Sequence, residues 1–250
     1  MVITSKANSL IKKIISLQDK KFRKEYGEYL VEGIKPVSEC LKAGCDVVQI
    51  ICTEKYEQTF KNAIVVSDQL FDYISTEKTP QGVIAIVKIP NVGVTAPNGS
   101  CLLLDRLQDP GNIGTIIRTA NAAGYRDIYL LNCADAYSPK AVRASMSGIF
   151  FVNIHIGTFS EISSALEGIS MIIADMNGED IFMFDPPQNF CLCIGNEGNG
   201  ISDEVMASSS HTIKIPMSPS CESLNAAISA AIAMYTLKAN IQRGQINKKI

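Results

Sequence analysis

Two histidines, no C-x-x-C pair and no apolar run of membrane-spanning length set the first limits on this chain. His155 and His211 lie far apart, and no grouping of His, Cys or carboxylate has metal-ligand spacing. Zinc chemistry and a histidine-driven mechanism are therefore disfavoured, and no metal is expected. The eight cysteines fall at 40, 45, 52, 101, 133, 191, 193 and 221, with no spacing that suggests a secreted disulfide framework. The polar opening residues carry no signal-peptide core. The thiols read as buried or incidental ones of a reducing cytosol, and a cytoplasmic location is expected. The longest apolar candidate, 224–237, is alanine-rich, falls short of the ~18 residues a membrane span needs, and reads as a packed helix.

A large charge imbalance is also lacking. The net charge of −2 gives no global signature of nucleic-acid binding, but its distribution does more. Residues 1–27 carry seven Lys/Arg (Lys6, Lys12, Lys13, Lys20, Lys21, Arg23, Lys24) against Asp19 and Glu25. Residues 238–250 carry Lys238, Arg243, Lys248 and Lys249 and no acid, leaving 12 basic against 23 acidic residues between the two ends. Phosphate binding needs only local positive charge. The plain alternative is a set of solvated helix faces and a loose tail.

What is present is ample core: 46% hydrophobic and 19% charged residues describe a folded chain of one large or two small domains. The Pro-, Gly- and Asn-rich stretch from Pro90 to Ser100 is the best linker. It sets expected domains of 1–92 and 101–250 with a linker over 93–100. The first reads as α/β, with helices near 7–17, 35–43 and 67–75 and strands at 46–52, 63–66 and 83–89. The second alternates more regularly. Buried-strand runs at 101–105, 127–132, 171–175, 190–195 and 212–215 are separated by helical stretches near 112–123, 138–147, 160–167 and 202–208, and a long helix starts near Ser223. That pattern implies a parallel sheet covered on both faces, with ligands outside the carboxyl ends of its strands.

Three loops sit at such ends. In the first, Asp109-Pro-Gly-Asn112 is strong turn chemistry, Asn112 is a candidate N-cap, and Arg118 lies over Gly114 and Thr115, where a guanidinium can reach a phosphate. Its ordinary alternative is pairing with a neighbouring carboxylate. The second, Gly195-Asn-Glu-Gly-Asn-Gly-Ile201, has glycines that let backbone approach a ligand, and it carries Glu197. Its spacing is neither a P-loop nor G-x-G-x-x-G, and composition alone makes it a turn. The third runs from Ile215-Pro-Met217 through two prolines to Ser223-Leu-Asn225, followed by a helix rich in small residues.

In this order the loops resemble the three signature motifs of the SpoU (TrmH-like) branch of the SPOUT RNA methyltransferases: N-x-G-x-x-x-R-T-A, G-N-E-x-x-G-[IL] and I-P-M…E-S-L-N. Ser138-Pro-Lys-Ala-Val-Arg-Ala-Ser-Met-Ser-Gly148 also looks like a family segment. Tyr29-Leu-Val-Glu-Gly-Ile-Lys35 and Thr79-Pro-Gln-Gly-Val83 are similar to the RNA-binding domain that precedes many members.

The resemblance implies an α/β fold whose C-terminal parallel-sheet domain holds a deep trefoil knot, against the general rule that chains do not knot. It implies S-adenosylmethionine (AdoMet) held by Gly195, Ile215, Pro216, Met217 and Leu224, and methylation of a ribose 2′-hydroxyl on RNA. Arg118 would stabilise developing negative charge, because a guanidinium is too basic to serve well as a base. Asn112 would hold ribose or phosphate, Glu197 would orient Arg118 or accept a hydrogen bond, and Ser223 and Asn225 would complete the pocket. A homodimer through the knot domain is implied, with the first motif contributing across the interface. Ribosomal RNA, with guanosine favoured, is expected over transfer RNA. The rival readings are a non-catalytic RNA-binding knot protein and a dinucleotide-dependent oxidoreductase, which the absent G-x-G-x-x-G disfavours.

Overall fold

The computed structural model describes residues 2–247, which fall into two compact units. The first runs up to Asn91 and also takes in Asp135–Phe150. The second is Val92–Ala134 and the chain from Phe151 onward. Lys248 and Lys249 of the basic C-terminal end lie outside the described residues.

The first unit is built on a mixed sheet of β1 (Glu28–Glu32), β2 (Val47–Thr53), β3 (Ile64–Val66) and β4 (Val83–Lys88) in the order β1-β4-β2-β3. Strand β4 is antiparallel to β1 and β2, and β3 is parallel to β2. Its helices are α1 (Ser9–Ser16), α2 (Lys20–Tyr26), α3 (Ile34–Lys42) and α4 (Asp68–Ile74). In α1, Ile11 and Ile14 share a face with Leu17 just beyond, and the Asn8 side chain caps the start by accepting from the Leu10 amide at 2.9 Å. These apolar residues pack with Leu30, Phe71 and Ile84.

Helix α2 and strand β1 are absent from the sequence pattern. Helix α2 has little apolar periodicity and is defined by its ends, an Asp19 cap and Gly27 in the left-handed region at φ 62°. Burial of four of the five residues of β1 hides its alternation. The N-terminal basic segment is partly structural, so only part of its positive charge is left for phosphate. Arg23 is buried, donating to the Leu17 carbonyl at 2.7 Å and pairing with Asp135 at 2.7 Å. Lys13 pairs at 2.6 Å with the buried Glu28, which also takes Lys88 at 2.7 Å. Lys6, Lys12, Lys20, Lys21 and Lys24 stay exposed. The helix expected over 138–147 is the shorter α6 (Pro139–Ala144), and it belongs to this first unit. The Tyr137 ring just before it meets Tyr29 of β1 at 5.0 Å.

The second unit holds six parallel strands: β5 (Cys101–Asp105), β6 (Asp127–Leu131), β7 (Asn153–Ile156), β8 (Ser170–Asp180), β9 (Phe190–Ile194) and β10 (His211–Lys214). They lie in the order β10-β8-β9-β5-β6-β7. The sequence pattern missed β7, whose Asn-Ile-His-Ile has exposed ends. Strands β5 and β9 are buried at every position, so both sheet faces are covered. Helix α7 (Phe159–Ala165) contributes Ile162 beside Leu103 and Tyr129. Helix α5 (Pro110–Ala123) is tied to α9 (Ala226–Asn247) by Lys238, whose Nζ donates to the Ala123 carbonyl at 2.7 Å. A short α8 (Asp203–Ala207) follows the second loop.

Strands β5 to β7 step outward to one edge, and the chain then returns to lay β8, β9 and β10 on the other side of β5. The carboxyl ends of β5 and β9 therefore flank the switch point, where open parallel sheets bind ligands. Next to it, β8 leaves the ladder. Thr212 pairs with Ile173 but Ile213 pairs with Glu179, so residues 174–178 bow outward. The backbone of Ile213 leaves no room for a side chain at Gly178, where a Cβ would stand 2.4 Å from a main-chain carbon. The stretch expected as a linker is fastened to this unit. His155 Nδ1 meets the Gly93 carbonyl at 2.7 Å, the Tyr129 hydroxyl donates to Thr95 at 2.6 Å, and the Asn98 amide donates to Asp127 at 3.0 Å.

Candidate active site

Helix α5 starts earlier than the sequence suggests. Its N-cap is Asp109, which accepts from the Gly111 amide at 2.9 Å, with Pro110 in the first turn. Asn112 is thus not the cap but a residue of the first turn, 9% exposed. That frees its amide for other partners. Asn112 donates through Nδ2 to Glu197 at 2.7 Å and accepts through Oδ1 from Asn225 Nδ2 at 3.0 Å. Asn225 in turn accepts from the Ala227 amide at 2.9 Å, so it caps α9, which begins at Ala226 rather than near Ser223. One continuous relay links the N-termini of two helices to the Glu197 carboxylate.

The loop carrying Glu197 is closed on itself. Asn196 and Gly200 exchange backbone hydrogen bonds at 2.9 and 3.0 Å. The Asn196 side chain accepts from the Gly198 and Asn199 amides, both at 2.9 Å, and donates to the Arg106 carbonyl at 2.8 Å. At Gly195 a Cβ would stand 2.4 Å from the Gly200 carbonyl carbon. This glycine serves the loop's own closure, whereas the sequence reading assigned the glycines to ligand approach. Asp105, fully buried at the end of β5, accepts from the Ser202 amide at 2.6 Å and anchors the far side of the loop.

Beside this loop, at the carboxyl ends of β8, β9 and β10, lies a cavity of about 470 Å³. Six of the ten expected site residues line it: Gly195, Glu197, Ile215, Met217, Ser223 and Leu224. Asn112 and Asn225 reach it only through Glu197, and Pro216 sits between two lining residues without lining it. Arg118 is exposed on α5, is not part of the lining, and has no hydrogen-bond or ion-pair partner among the described residues. The neighbouring-carboxylate alternative is thus not realised. Sequence reasoning missed Asp175 and Met176 on the bowed segment of β8, together with Lys214 and Glu222. The rule about strand carboxyl ends, applied to the strand ending near Asp175, is the signal that would have found the first two.

The lining suits a cationic, partly apolar ligand. Ile194, Ile215, Met217 and Leu224 form an apolar wall, while Asp175, Glu197 and Glu222 outnumber Lys214. Among the described residues no group of three or more His, Cys, Asp or Glu is placed to hold a metal, and no helix is long and apolar enough to cross a membrane.

Comparison with known proteins agrees in sequence and shape. The model of the SpoU rRNA Methylase family matches residues 99–235, and that of the MRM3-like substrate binding domain matches residues 8–85. The chain is 30% identical to the 23S rRNA (guanosine(2553)-2′-O)-methyltransferase of Bacillus subtilis, covering 94% of this chain and 98% of the relative. It is 29% identical to the 23S rRNA (uridine(2479)-2′-O)-methyltransferase of Streptomyces viridochromogenes, over 85% of this chain and 83% of that one. The crystal structure of an AdoMet-bound rRNA methyltransferase from Sinorhizobium meliloti superposes with a TM-score of 0.87 at 27% identity, covering 96% and 98% of the two chains.

Proposed function

Because the chain belongs to the SpoU rRNA methylase family, we propose that it methylates a ribose 2′-hydroxyl of ribosomal RNA, with guanosine the favoured nucleoside. AdoMet, the methyl donor of this reaction, supplies an activated methyl group on a sulfonium. The observation that carries the reading is the cavity at the ends of β8, β9 and β10, with its apolar wall, its excess of carboxylates and the Glu197–Asn112–Asn225 relay at its edge.

Gly195, Ile215, Met217 and Leu224 would hold the cofactor, with strand-end peptide groups reading the adenine edge and Pro216 setting the path of the backbone. The protein's own task is to place and activate a poor nucleophile. Arg118 serves by stabilising developing negative charge on the 2′-oxygen and the adjacent phosphate. Glu197 accepts a hydrogen bond near the reacting groups and would orient Arg118 of the partner subunit. Both ends of the Asn112 amide are used within the chain, so Asn112 and Asn225 act as positioning residues for Glu197 rather than as ribose ligands. Ser223 completes the polar edge of the cavity.

Arg118 is without partners among the described residues and apart from the cavity lining, which supports a homodimer in which it serves the other subunit's site. Ile228 and Tyr235, each about half exposed and seven residues apart on α9, offer an apolar face for that contact. A trefoil knot at this end of the chain is supported by the backbone contact of Gly178 with Ile213. It is also supported by the grip of α9 on residues 181–184, where Asn240 donates to the Ile181 and Phe184 carbonyls, both at 2.9 Å. The exposed lysines of the first unit would contact RNA phosphates, and the enzyme would work in the cytoplasm.

Mapping ribose methylations across total RNA with and without the gene tests the assignment. One 2′-O-methyl group lost from ribosomal RNA is expected. Loss from transfer RNA alone would move the substrate, and no loss with no AdoMet binding would overturn the enzyme reading.

A further inference from the structure

The first unit contains a second cavity, of about 330 Å³, that the methyl-transfer chemistry does not use. Its floor is apolar, formed by Leu30, Pro36, Val142 and Phe150. Ser147 lines it, is 7% exposed, and its hydroxyl has no partner among the described residues. Ser147 and Met146 before it both sit at positive φ, 69° and 45°, a sparsely populated conformation for side chains of this kind. Such backbone recurs where a loop is held in shape for a ligand. Here the turn is held by the Ser145 hydroxyl donating to the Val142 carbonyl at 2.7 Å and the Gly148 amide donating to the Ser145 carbonyl at 2.8 Å.

The polar groups at the mouth define the ligand. Each cation already has an acid: Arg143 pairs with Glu77, and Lys35 lies 3.7 Å from Glu39. Glu32 is used by the framework, accepting from Ser75 and from the Thr76 amide and hydroxyl. A phosphate therefore finds no unpaired positive charge. Left over are the hydroxyls of Thr79 and Ser147 and the amide NH2 of Gln81, whose carbonyl oxygen accepts from the Ile34 amide at 3.1 Å. An apolar slot with a ring in its wall and a few neutral donors and acceptors matches a flat heterocycle with polar edges. Proteins that read RNA by sequence take up unpaired bases in this way.

We propose that this cavity receives one unpaired nucleobase of the RNA, distinct from the nucleotide being methylated, and so selects the substrate. The proposal rests on the RNA-methyltransferase reading. The test uses the full chain and a fragment of ribosomal RNA around the methylated position found by mapping, with each unpaired nucleotide in turn replaced by an abasic one. Filter binding should show one abasic position, away from the target, that weakens binding by about tenfold, the size expected for loss of base stacking. Thr79→Phe, which sets a ring at the exposed rim, and Ser147→Ala, which removes the unpartnered hydroxyl, should each make binding of the intact fragment as weak as that of the abasic one. Both should keep the wild-type thermal midpoint and AdoMet affinity. An RNA that binds with no such position, or a penalty that persists unchanged in both variants, overturns the proposal and leaves the methyltransferase reading standing. Failure of the mapping to find any ribose methylation overturns that reading itself.

Discussion

Single side chains decide the chemistry here, and they do so by what they are left free to do. Arg118 carries a permanent charge that no partner neutralises among the described residues, whereas Arg23 and Arg143 are both spent on acids. Replacing Arg118 by Ala should cut the rate of methyl transfer by about 10²–10³, the usual cost of removing one group that stabilises developing charge. AdoMet affinity by calorimetry should hardly change, and equal loss of both would contradict the assigned role. Glu28 makes a prediction about stability. Burial works to raise its carboxyl, but hydrogen bonds and charge from Lys13 and Lys88 outweigh this and hold its pKa below the usual carboxylate range. A carboxylate lowered in the folded state stabilises it above the unfolded pKa of ~4.3, and that contribution is lost as pH falls through the folded value. Glu28→Gln should therefore lower stability by about 1–2 kcal/mol at pH 7, given that both lysines are partly solvated. Urea melts of the two proteins should converge as the pH falls below the ordinary carboxylate range and through the lowered pKa of the folded state.

Elements show why these residues occur where they do. The Gly195–Ile201 loop looks like three interchangeable glycines in the sequence, yet their roles differ. A side chain at Gly195 would strike the Gly200 backbone at 2.4 Å, while one at Gly198 would meet only the Asn196 oxygen at 3.7 Å. Gly195→Ala should open the loop, pull Glu197 from Asn112 and weaken AdoMet binding by at least about tenfold, roughly the loss of one buried hydrogen bond to a charged group. Gly198→Ala should bind nearly as the wild type does, and calorimetry of the pair separates loop closure from ligand approach. Element boundaries were legible where a cap or a run of period-correct apolar residues marks them, as in α1, β2 and β4. They were not legible in α2, which its end caps define, or in β1, where burial of four of the five residues hides the alternation. The start of α5 was misread because two good capping residues, Asp109 and Asn112, stand three apart, and only the observed hydrogen bond chooses between them.

At the scale of the whole molecule, the two compact units are not consecutive in sequence. Asp135–Phe150 returns to the first unit after the second has begun. Removing residues 1–90 would strip this segment of its partners and expose Ile149 and the Tyr137 ring, both buried in the full chain. Size-exclusion chromatography should show such a truncation aggregating, while one that also replaces 135–150 by a short polar linker should stay dispersed. The proposed homodimer makes a sharper prediction. Arg118→Ala and Glu197→Ala proteins should each be nearly inactive alone. Mixed and allowed to exchange subunits, they should regain activity, because half the sites of a mixed dimer would carry both side chains. No recovery, with exchange verified by labelled subunits, would place both residues in a single-chain site.

The sequence by itself determined the family of this protein, because its three loops taken together resemble the SpoU motifs. Those loops follow β5, β9 and β10, and the parallel sheet brings the second and third to one cavity, which the first reaches through the Asn112 hydrogen bond to Glu197. Local composition also predicted most strands, since burial on both faces leaves continuous apolar runs. Tertiary structure alone decided which residues do which work. It turned Asn112 from a cap into a bridge between Glu197 and Asn225, bowed 174–178 into a wall of the cavity, and spent Lys13 and Arg23 inside the first unit. The physical reason is that a backbone follows rules written over a few neighbouring residues, whereas a hydrogen bond or ion pair needs a partner that only folding brings near.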